Sequence, residues 1–141
     1  MPIARADAER LPIGSNSIPA ATAMMVHTDM PGYAAVLHEV NRVLRPGGLF
    51  VHVGVHPCFC GGFADRRDAD AIVIRPGYLD SNWTAASWTD QGVRAKVGAT
   101  HRPLPELFAM FQQLRIERLA EYGAPTPIVL AVTARKLNAP E

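Results

Sequence analysis

Apolar and polar residues alternate in blocks that predict a strand, an amphipathic helix and a second strand within the first 55 residues. An unbroken apolar run from Ala20 to Val26 is typical of a strand buried on both faces of a sheet. Apolar residues then recur at helical spacing from Tyr33 to Leu44, with Asp29 as the predicted N-cap and Pro31 in the first turn. The run from Leu49 to Val55 predicts another buried strand, which completes a right-handed βαβ unit.

The remaining residues predict a long excursion followed by a helix and a hairpin. Residues 56–102 contain a glycine pair, prolines and scattered charges, and ordinary connections have a median of about 4–6 residues. We therefore predict a lid or substrate-loop insertion over 56–102, with some local helix inside it. A helical stripe begins at Leu104 with Glu106 in its first turn, and the β-rich segments 115–122 and 128–134 predict a terminal hairpin.

Composition narrows the class of protein without identifying it. The 141 residues are 48% hydrophobic and 19% charged, which indicates one folded domain over residues 1–141. A formal net charge of +1 argues against nucleic acid or an anionic membrane surface as a partner. No apolar run approaches the roughly 20 residues that a membrane-spanning helix needs. Two cysteines and no recognisable signal peptide favour the cytoplasm.

Two motifs carry a resemblance to a known family. The first is Asp7-Ala8-Glu9-Arg10-Leu11-Pro12, followed by Ser17-Ile18, and the second runs from Glu39 to Gly48 and includes Arg-Val-Leu-Arg-Pro-Gly-Gly. In this order they resemble the class I S-adenosylmethionine-dependent methyltransferases, especially those of menaquinone and ubiquinone biosynthesis. The resemblance implies an α/β, Rossmann-like sheet that retains the family's strands 4-5-7-6, with crossover helices and a C-terminal antiparallel hairpin.

The resemblance also implies a cofactor and residues that bind it. S-adenosylmethionine is the implied cofactor, and Asp7 matches the aspartate that accepts a hydrogen bond from the adenine amino group. The backbone N–H of Ala8 would complete the adenine edge, and Val26 and His27 would border the methionine part or the substrate. Pro19 departs from the pattern, since the family usually has an aspartate there.

The glycine-rich cofactor motif of the family is missing from this sequence. No GxGxxG occurs, and no strand, glycine loop and helix precede Asp7. We therefore expect the C-terminal portion of the family's domain, inactive or weak as this chain and acting on a small organic molecule. The alternative is a non-enzymatic remnant that serves as a dimerisation or binding module. The 20–26 strand would become an exposed edge, which predicts a homodimer through that edge.

His27 is the candidate base for methyl transfer. The reaction is an in-line displacement, so an enzyme supplies mainly orientation, plus a base where the acceptor carries a proton. His27 follows a strand at the edge where doubly wound folds bind ligands. The competing interpretation is a hydrogen-bonded structural histidine.

The excursion supplies the candidate substrate residues. His52, His56, Cys58 and Cys60 resemble a zinc-ligand string, but one intervening residue between the cysteines is a strained spacing, and we expect no metal. His56 and Phe59 are instead predicted to face the substrate. An aromatic set forms either a wall over a flat substrate or ordinary packing of the excursion on the sheet; its members are Tyr78, Trp83 and Trp88.

Overall fold

The computed structural model describes residues 3–68, 70–85 and 92–138 of the chain. Its central feature is a four-stranded sheet, accompanied by three helices and two small two-stranded sheets. The elements in chain order are β1 (Ile18–Met24), α1 (Tyr33–Val43), β2 (Leu44–Val55), β3 (Ala64–Asp65), β4 (Val73–Ile74), β5 (Asn82–Thr84), α2 (Val93–Val97), β6 (Ala99–His101), α3 (Leu104–Ala109), β7 (Leu114–Tyr122) and β8 (Val129–Lys136).

The main sheet has the order β1-β2-β8-β7 and confirms the predicted α/β fold. β1 and β2 are parallel and joined by α1, whereas β8 is antiparallel to both β2 and β7. The last strand therefore lies between the second strand and the penultimate one, and β7 and β8 form the predicted terminal hairpin. The correspondence of these strands to the family's strands 4-5-7-6 stays a prediction.

The first strand differs from its prediction in both position and burial. β1 covers Ile18–Met24 rather than Ala20 to Val26, because Met25 adopts a positive φ of 56° and ends the extended backbone. Burial on both faces was expected, but β1 pairs only with β2 among the described strands, and Met24 is 65% exposed. β1 is an edge strand of this sheet.

α1 begins later than predicted and has a different N-terminus. Its N-cap is Gly32, without a side-chain cap, so the prediction that Asp29 caps the helix is wrong. The Asp29 carboxylate instead forms an ion pair with Arg94, and the Asp29 N–H donates to the carbonyl of Val26 at 2.9 Å. The chain makes a turn here before the helix begins.

The predicted Pro-Gly-Gly reversal lies inside β2 rather than before it. β2 already begins at Leu44, which pairs with Ile18, while the next register partners are Ala20 and Leu49. Residues 45–48 therefore form a bulge between two paired stretches, and Gly47 has a φ of 72° that suits glycine.

The core lies between the sheet and one face of α1, joined by residues of α3 and the turn after it. The apolar stripe predicted on α1 is confirmed, since its members are almost fully buried. Among the described residues no helix is long and apolar enough to cross a membrane. The core cluster consists of Tyr33, Val36, Leu37, Val40, Leu44, Phe50, Leu107, Phe111, Leu114, Leu130, Val132 and Ala134.

The excursion contains local structure. Residues 56–102 include the hairpins β3–β4 and β5–β6, the latter formed by strands separated by α2, and α2 confirms the expected local helix. Trp88 lies outside the described residues. The role of the excursion as a lid or substrate loop stays a prediction.

Candidate functional site

The carboxyl ends of β1 and β2 lie side by side and define the candidate ligand edge. Met24 pairs with Val53, so the two parallel strands lead into their following loops at the same edge of the sheet. In open α/β sheets, ligands bind outside the carboxyl ends of the strands. The loop that follows β1, residues 25–32, carries the predicted residues Val26 and His27.

The N-terminal segment reaches the same region. The Glu9 carboxylate lies directly against Gly32 at the start of α1, where a β-carbon would collide with it. Ala8 is half-buried and packs against the core, whereas the Asp7 side chain is exposed. Glu9, which directly follows the predicted cofactor residues Asp7 and Ala8, therefore contacts the segment that connects β1 to α1.

Asp7 is held in a local turn that leaves its carboxylate at the surface. Its Oδ1 accepts the N–H of Glu9 at 2.9 Å, and its carbonyl accepts the N–H of Arg10 at 3.0 Å. A carboxylate has about four lone-pair positions, so one backbone bond leaves capacity for a ligand donor. Val26 is half-buried and packs against the core. These positions suit contacts to an adenine amino group and to an apolar ligand surface.

Arg102 fixes the loop after β1. Its guanidinium is buried and donates to the carbonyls of His27 at 2.9 Å, Met30 at 2.9 Å and Pro31 at 2.5 Å. Burial lowers the pKa of this guanidinium, and Glu106 lies at 3.9 Å as a distant counter-charge. The sequence offered no signal for this role, since its acceptors are backbone carbonyls about 70 positions earlier in the chain.

A second set of contacts ties the excursion to the same loop. Arg94 forms an ion pair with Asp29 and donates to the hydroxyl of Thr28 at 3.0 Å. The Thr100 N–H donates to the carbonyl of Thr28 at 2.7 Å. The end of the excursion and the loop after β1 therefore form one hydrogen-bonded unit.

His27 is enclosed rather than open to a ligand. It is 3% exposed, and burial, helped by the nearby His52 and Arg102, lowers the pKa of its imidazole to about 3. Efficient general bases have pKa values near the working pH, so this environment does not favour His27 as a base at neutral pH. The catalytic role of His27 stays a prediction, and its surroundings favour the structural alternative.

The rings of His56 and Phe59 lie side by side, and both ring nitrogens of His56 are engaged within the protein; their predicted contact with the substrate stays a prediction. Nε2 of His56 lies 2.6 Å from Glu121, and Nδ1 accepts the Cys58 N–H at 3.1 Å. The His56 ring is buried, and its centroid is 4.8 Å from that of Phe59. Glu121, a β7 residue that sequence reasoning missed, holds the start of the excursion against the hairpin.

Tyr78 and Trp83 have different surroundings. The Tyr78 hydroxyl accepts the N–H of Leu104 at 2.9 Å and lies 3.5 Å from the Cys58 sulfur. The Tyr78 ring packs beside Phe63, with centroids 5.5 Å apart. Trp83 is 62% exposed and its ring covers Gly98, where a β-carbon would collide with the indole. The use of these residues as a substrate wall stays a prediction.

A cavity of about 360 Å³ lies between the hairpins β3–β4 and β5–β6. It combines an aromatic ring, a guanidinium, an amide and an imidazole, which suits a small polar organic molecule. Its guanidinium belongs to Arg75, which also pairs with Asp65 at 2.9 Å. The lining residues are Gly62, Phe63, Arg75, Pro76, Gly77, Asn82, Thr84 and His101.

The His/Cys string does not converge in the structure. In the described ranges, no three histidine, cysteine, aspartate or glutamate side chains are grouped so that they could hold a metal ion. Cys58 and Cys60 are free thiols, and burial raises the pKa of the Cys60 thiol. The Cys58 sulfur faces Tyr78, whereas the Cys60 sulfur lies 3.6 Å from the carbonyl of Ile128.

The N-terminal part of the chain matches a known protein family. Residues 1–52 match the family described as a methyltransferase domain, a stretch that includes Asp7, Ala8 and Val26. Over 52 residues the chain is 38% identical to a probable phthiotriol/phenolphthiotriol dimycocerosates methyltransferase 2 of Mycobacterium ulcerans. That match covers 37% of this chain and 20% of that protein.

A second relative carries a different name. The chain is 35% identical over 106 residues to a tetraacyldisaccharide 4'-kinase of Nitratidesulfovibrio vulgaris, covering 66% of this chain and 29% of that protein. The chain thus spans less than a third of either curated relative. The phosphate-binding GxxxxGK[ST] motif does not occur in these 141 residues.

Solved structures show the fold. An S-adenosylmethionine-dependent methyltransferase from Mesorhizobium loti superposes with a TM-score of 0.76 at 22% identity, over 94% of this chain and 68% of that one. The chain has the fold of the class I methyltransferases, which confirms the resemblance recognised in the two sequence motifs.

Proposed function

We propose that this chain, whose fold is that of the class I S-adenosylmethionine-dependent methyltransferases, contributes a cofactor and acceptor site for methyl transfer to a small organic molecule. One observation carries the proposal: the segment that carries Asp7 and Ala8, the loop after β1 and the end of the excursion meet near the carboxyl edge of β1, through the contacts of Glu9 with Gly32 and of Arg94 with Thr28. This is the edge at which doubly wound sheets bind ligands.

The residues fit part of the cofactor. The exposed Asp7 carboxylate would accept a hydrogen bond from the adenine amino group, the Ala8 N–H would meet the adenine edge, and Val26 would border the methionine part. When bound, S-adenosylmethionine supplies an electrophilic methyl group. We assign no residue of this chain to the ribose hydroxyls.

The acceptor would lie on the side of the excursion. The predicted substrate residues there are His56, Phe59, Tyr78, Trp83 and Trp88. The contribution of the chain is orientation, because Arg102 and Arg94 hold the loop after β1 in one conformation relative to the excursion. The two free thiols at Cys58 and Cys60 suit a reducing compartment such as the cytoplasm.

Titration calorimetry with S-adenosylhomocysteine tests the proposal. We expect measurable binding by the chain and a loss of affinity of about tenfold in Asp7→Ala, the effect of one charge-assisted hydrogen bond. Asp68→Ala is the matched control, because Asp68 is also exposed and accepts the N–H two positions later at 2.8 Å. A folded chain that does not bind, or an equal loss in both variants, would overturn the assignment.

A second candidate function is a non-enzymatic dimerisation or binding module. It is favoured by the outer edge of β1, which has no neighbouring strand in the described part of the chain. Two copies paired along this edge would form one continuous sheet and satisfy both rows of backbone groups. Folding and self-association without any affinity for S-adenosylhomocysteine would support this function over the first.

A further inference from the structure

Tyr33, His52 and His27 form a buried polar cluster that neither motif predicts. Tyr33 and His52 are almost completely buried, and His27 is 3% exposed. The Tyr33 hydroxyl lies 2.7 Å from Nδ1 of His52. Burial raises the pKa of the Tyr33 phenol, so the hydroxyl keeps its proton. In the described part of the chain, that hydroxyl is engaged by His52 alone, and its proton therefore points to Nδ1.

One buried ring nitrogen of each histidine has no hydrogen-bond partner in the part of the chain that the structure describes. Nδ1 of His27 and Nε2 of His52 are buried and make no hydrogen bond among the described residues. Both border the same point on β2, because a β-carbon at Gly54 would collide with the His27 ring and lie 2.9 Å from Nε2 of His52. Buried polar atoms without partners are rare, so two of them beside one glycine point to a shared interaction.

We propose that these three residues form one directional hydrogen-bond chain, in which Tyr33 O–H donates to Nδ1 of His52 and Nε2–H of His52 donates to Nδ1 of His27. The ring centroids of His27 and His52 are 5.1 Å apart, in an edge-on arrangement. Two imidazoles joined by an in-line N–H···N bond have centroids about 5 Å apart, so the observed separation of the two rings matches that of such a bond.

Two alternatives are less favourable: hydrogen bonds that run in the opposite direction, and a cation bound between the two imidazoles. If His27 donated to His52 and His52 to Tyr33, the buried Tyr33 proton would need an acceptor other than His52. A metal ion between the two rings would add positive charge near the guanidinium groups of Arg102 and Arg94, which already disfavour a charged His27. A hydrogen-bond chain of neutral side chains gives a partner to both Nδ1 of His27 and Nε2 of His52 without adding charge.

This hydrogen-bond chain changes the role expected of His27. With Nδ1 occupied as an acceptor, His27 keeps its proton on Nε2 and is a neutral donor with a fixed tautomer. Tyr33 and His52 are then positioning residues for the loop after β1. This last step rests on the proposed function: enclosed and with a fixed tautomer, His27 would not remove a proton from the methyl acceptor and would act by holding the loop after β1 at the ligand edge.

Long-range proton–nitrogen NMR of the ¹⁵N-labelled chain at neutral pH tests the inference without any ligand. We expect the proton on Nε2 in both His27 and His52, with a nitrogen–nitrogen coupling across the bond that joins them. His56 and His101 are internal references, since His56 accepts at Nδ1 and His101 donates from Nε2 to the Tyr78 carbonyl at 2.6 Å. A proton on Nδ1 of His27 or His52, or the absence of a nitrogen–nitrogen coupling between the two rings, would overturn the proposed hydrogen-bond chain.

Tyr33→Phe removes only the first donor of the chain. We expect the Nδ1 resonance of His52 to move toward that of an unbonded nitrogen, while His56 is unchanged. Tyr122→Phe, at an exposed tyrosine of β7, is the matched control. The wild-type spectrum decides the inference even if Tyr33→Phe fails to fold. Failure of S-adenosylhomocysteine to bind would overturn the proposed function and leave these tautomers as they are.

Discussion

Glu39 and Arg42, three residues apart on α1, meet at 2.7 Å and together hold the segment that precedes β1. Arg42 donates to the carbonyls of Leu11 at 3.0 Å and Ile13 at 2.9 Å, and Glu39 accepts the Leu11 N–H at 2.9 Å. Part of the motif that carries the family resemblance therefore has a structural purpose. It anchors the segment that follows Asp7.

Arg42→Ala is expected to lower the melting temperature by about 5 °C, because it removes several charge-assisted hydrogen bonds to the N-terminal segment at once. Arg118→Ala, at an exposed arginine of β7, is the control and should leave the melting temperature nearly unchanged. Thermal unfolding followed by circular dichroism measures both. Equal melting temperatures for the two variants would contradict the role of Arg42 as an anchor.

Acid should destabilise the protein over a pH range set by its buried histidines His27 and His52. The pKa of His27 is lowered to about 3 and that of His52 to about 4, mainly by burial, whereas the unfolded chain binds these protons near pH 6.5. The unfolded state therefore holds more protons than the folded state below pH 6.5. Stability is full above that pH and falls as pH decreases, by at most about 1.4 kcal/mol per pH unit for each histidine.

Urea unfolding at pH values between 7.5 and 4.5 measures this slope. The groups around His27 are His52, Arg102, Arg94 and His101, and each of them lowers the pKa of His27 in the same direction as burial. His52→Gln should reduce the slope, whereas His38→Gln, at an exposed helix position, should not. A stability that stays constant between pH 7 and pH 5 would show that the two rings are accessible to protons in the folded state.

Glu39 acts in a lower pH window. Its hydrogen bonds to Arg42 and to the Leu11 N–H lower the pKa of the Glu39 carboxyl from 4.5 to about 2. A lowered carboxyl pKa contributes stability that is present above pH 4.5 and lost as pH falls toward 2. Measurements above pH 5 therefore report the histidines without interference from Glu39.

Of the arginines that contact the loop after β1, Arg102 is expected to contribute most to stability. Arg102→Ala removes the donor shared by the carbonyls of His27, Met30 and Pro31, and we expect a loss of about 3 kcal/mol in the free energy of unfolding. Arg75→Ala is the control, since Arg75 forms an exposed ion pair with Asp65, worth less than about 1 kcal/mol.

Hydrogen exchange identifies where the effect of Arg102→Ala acts. The Asp29 amide, which donates to Val26 within this loop, should exchange faster in the variant, while amides in the β7–β8 hairpin should respond only to the global loss of stability. Uniform acceleration across the chain would mean that Arg102 stabilises the fold in general and does not position this loop in particular.

Local patterns in the sequence predicted what depends on neighbours in the chain. The spacing of apolar residues gave the buried face of α1, and the β-rich segments after residue 114 gave the hairpin, because both follow from periodicity alone. The N-cap prediction at Asp29 failed because its carboxylate is held by Arg94, 65 positions away. Arg102 and Glu121 were missed for the same reason, since their partners are distant in sequence.

The sequence also could not predict that His27 is buried. A histidine at the end of an apolar strand is equally consistent with a ligand edge and with a core position. Only the packing of His52 from β2 and Tyr33 from α1 beside it distinguishes them. The sequence placed His27 just after the carboxyl end of a strand, but its chemistry depends on neighbours from two other elements.

The open edge of β1 leads to a prediction about association. β1 carries no charged residue, and its outer side has no partner strand in the described ranges, which is the condition under which strands pair between molecules. We expect a dimer in light scattering at micromolar concentration, and a monomer for Met24→Lys, which places a charge at a 65% exposed position of this edge.

Leu119→Lys is the matched control for the β1 edge. Leu119 is 50% exposed on β7, the strand at the opposite edge of the same sheet, so the substitution adds the same charge to the other edge. Pairing through β1 requires that Leu119→Lys remains dimeric while Met24→Lys dissociates. A dimer that only Leu119→Lys disrupts would place the interface at β7, and a folded monomeric wild type would remove the dimer altogether.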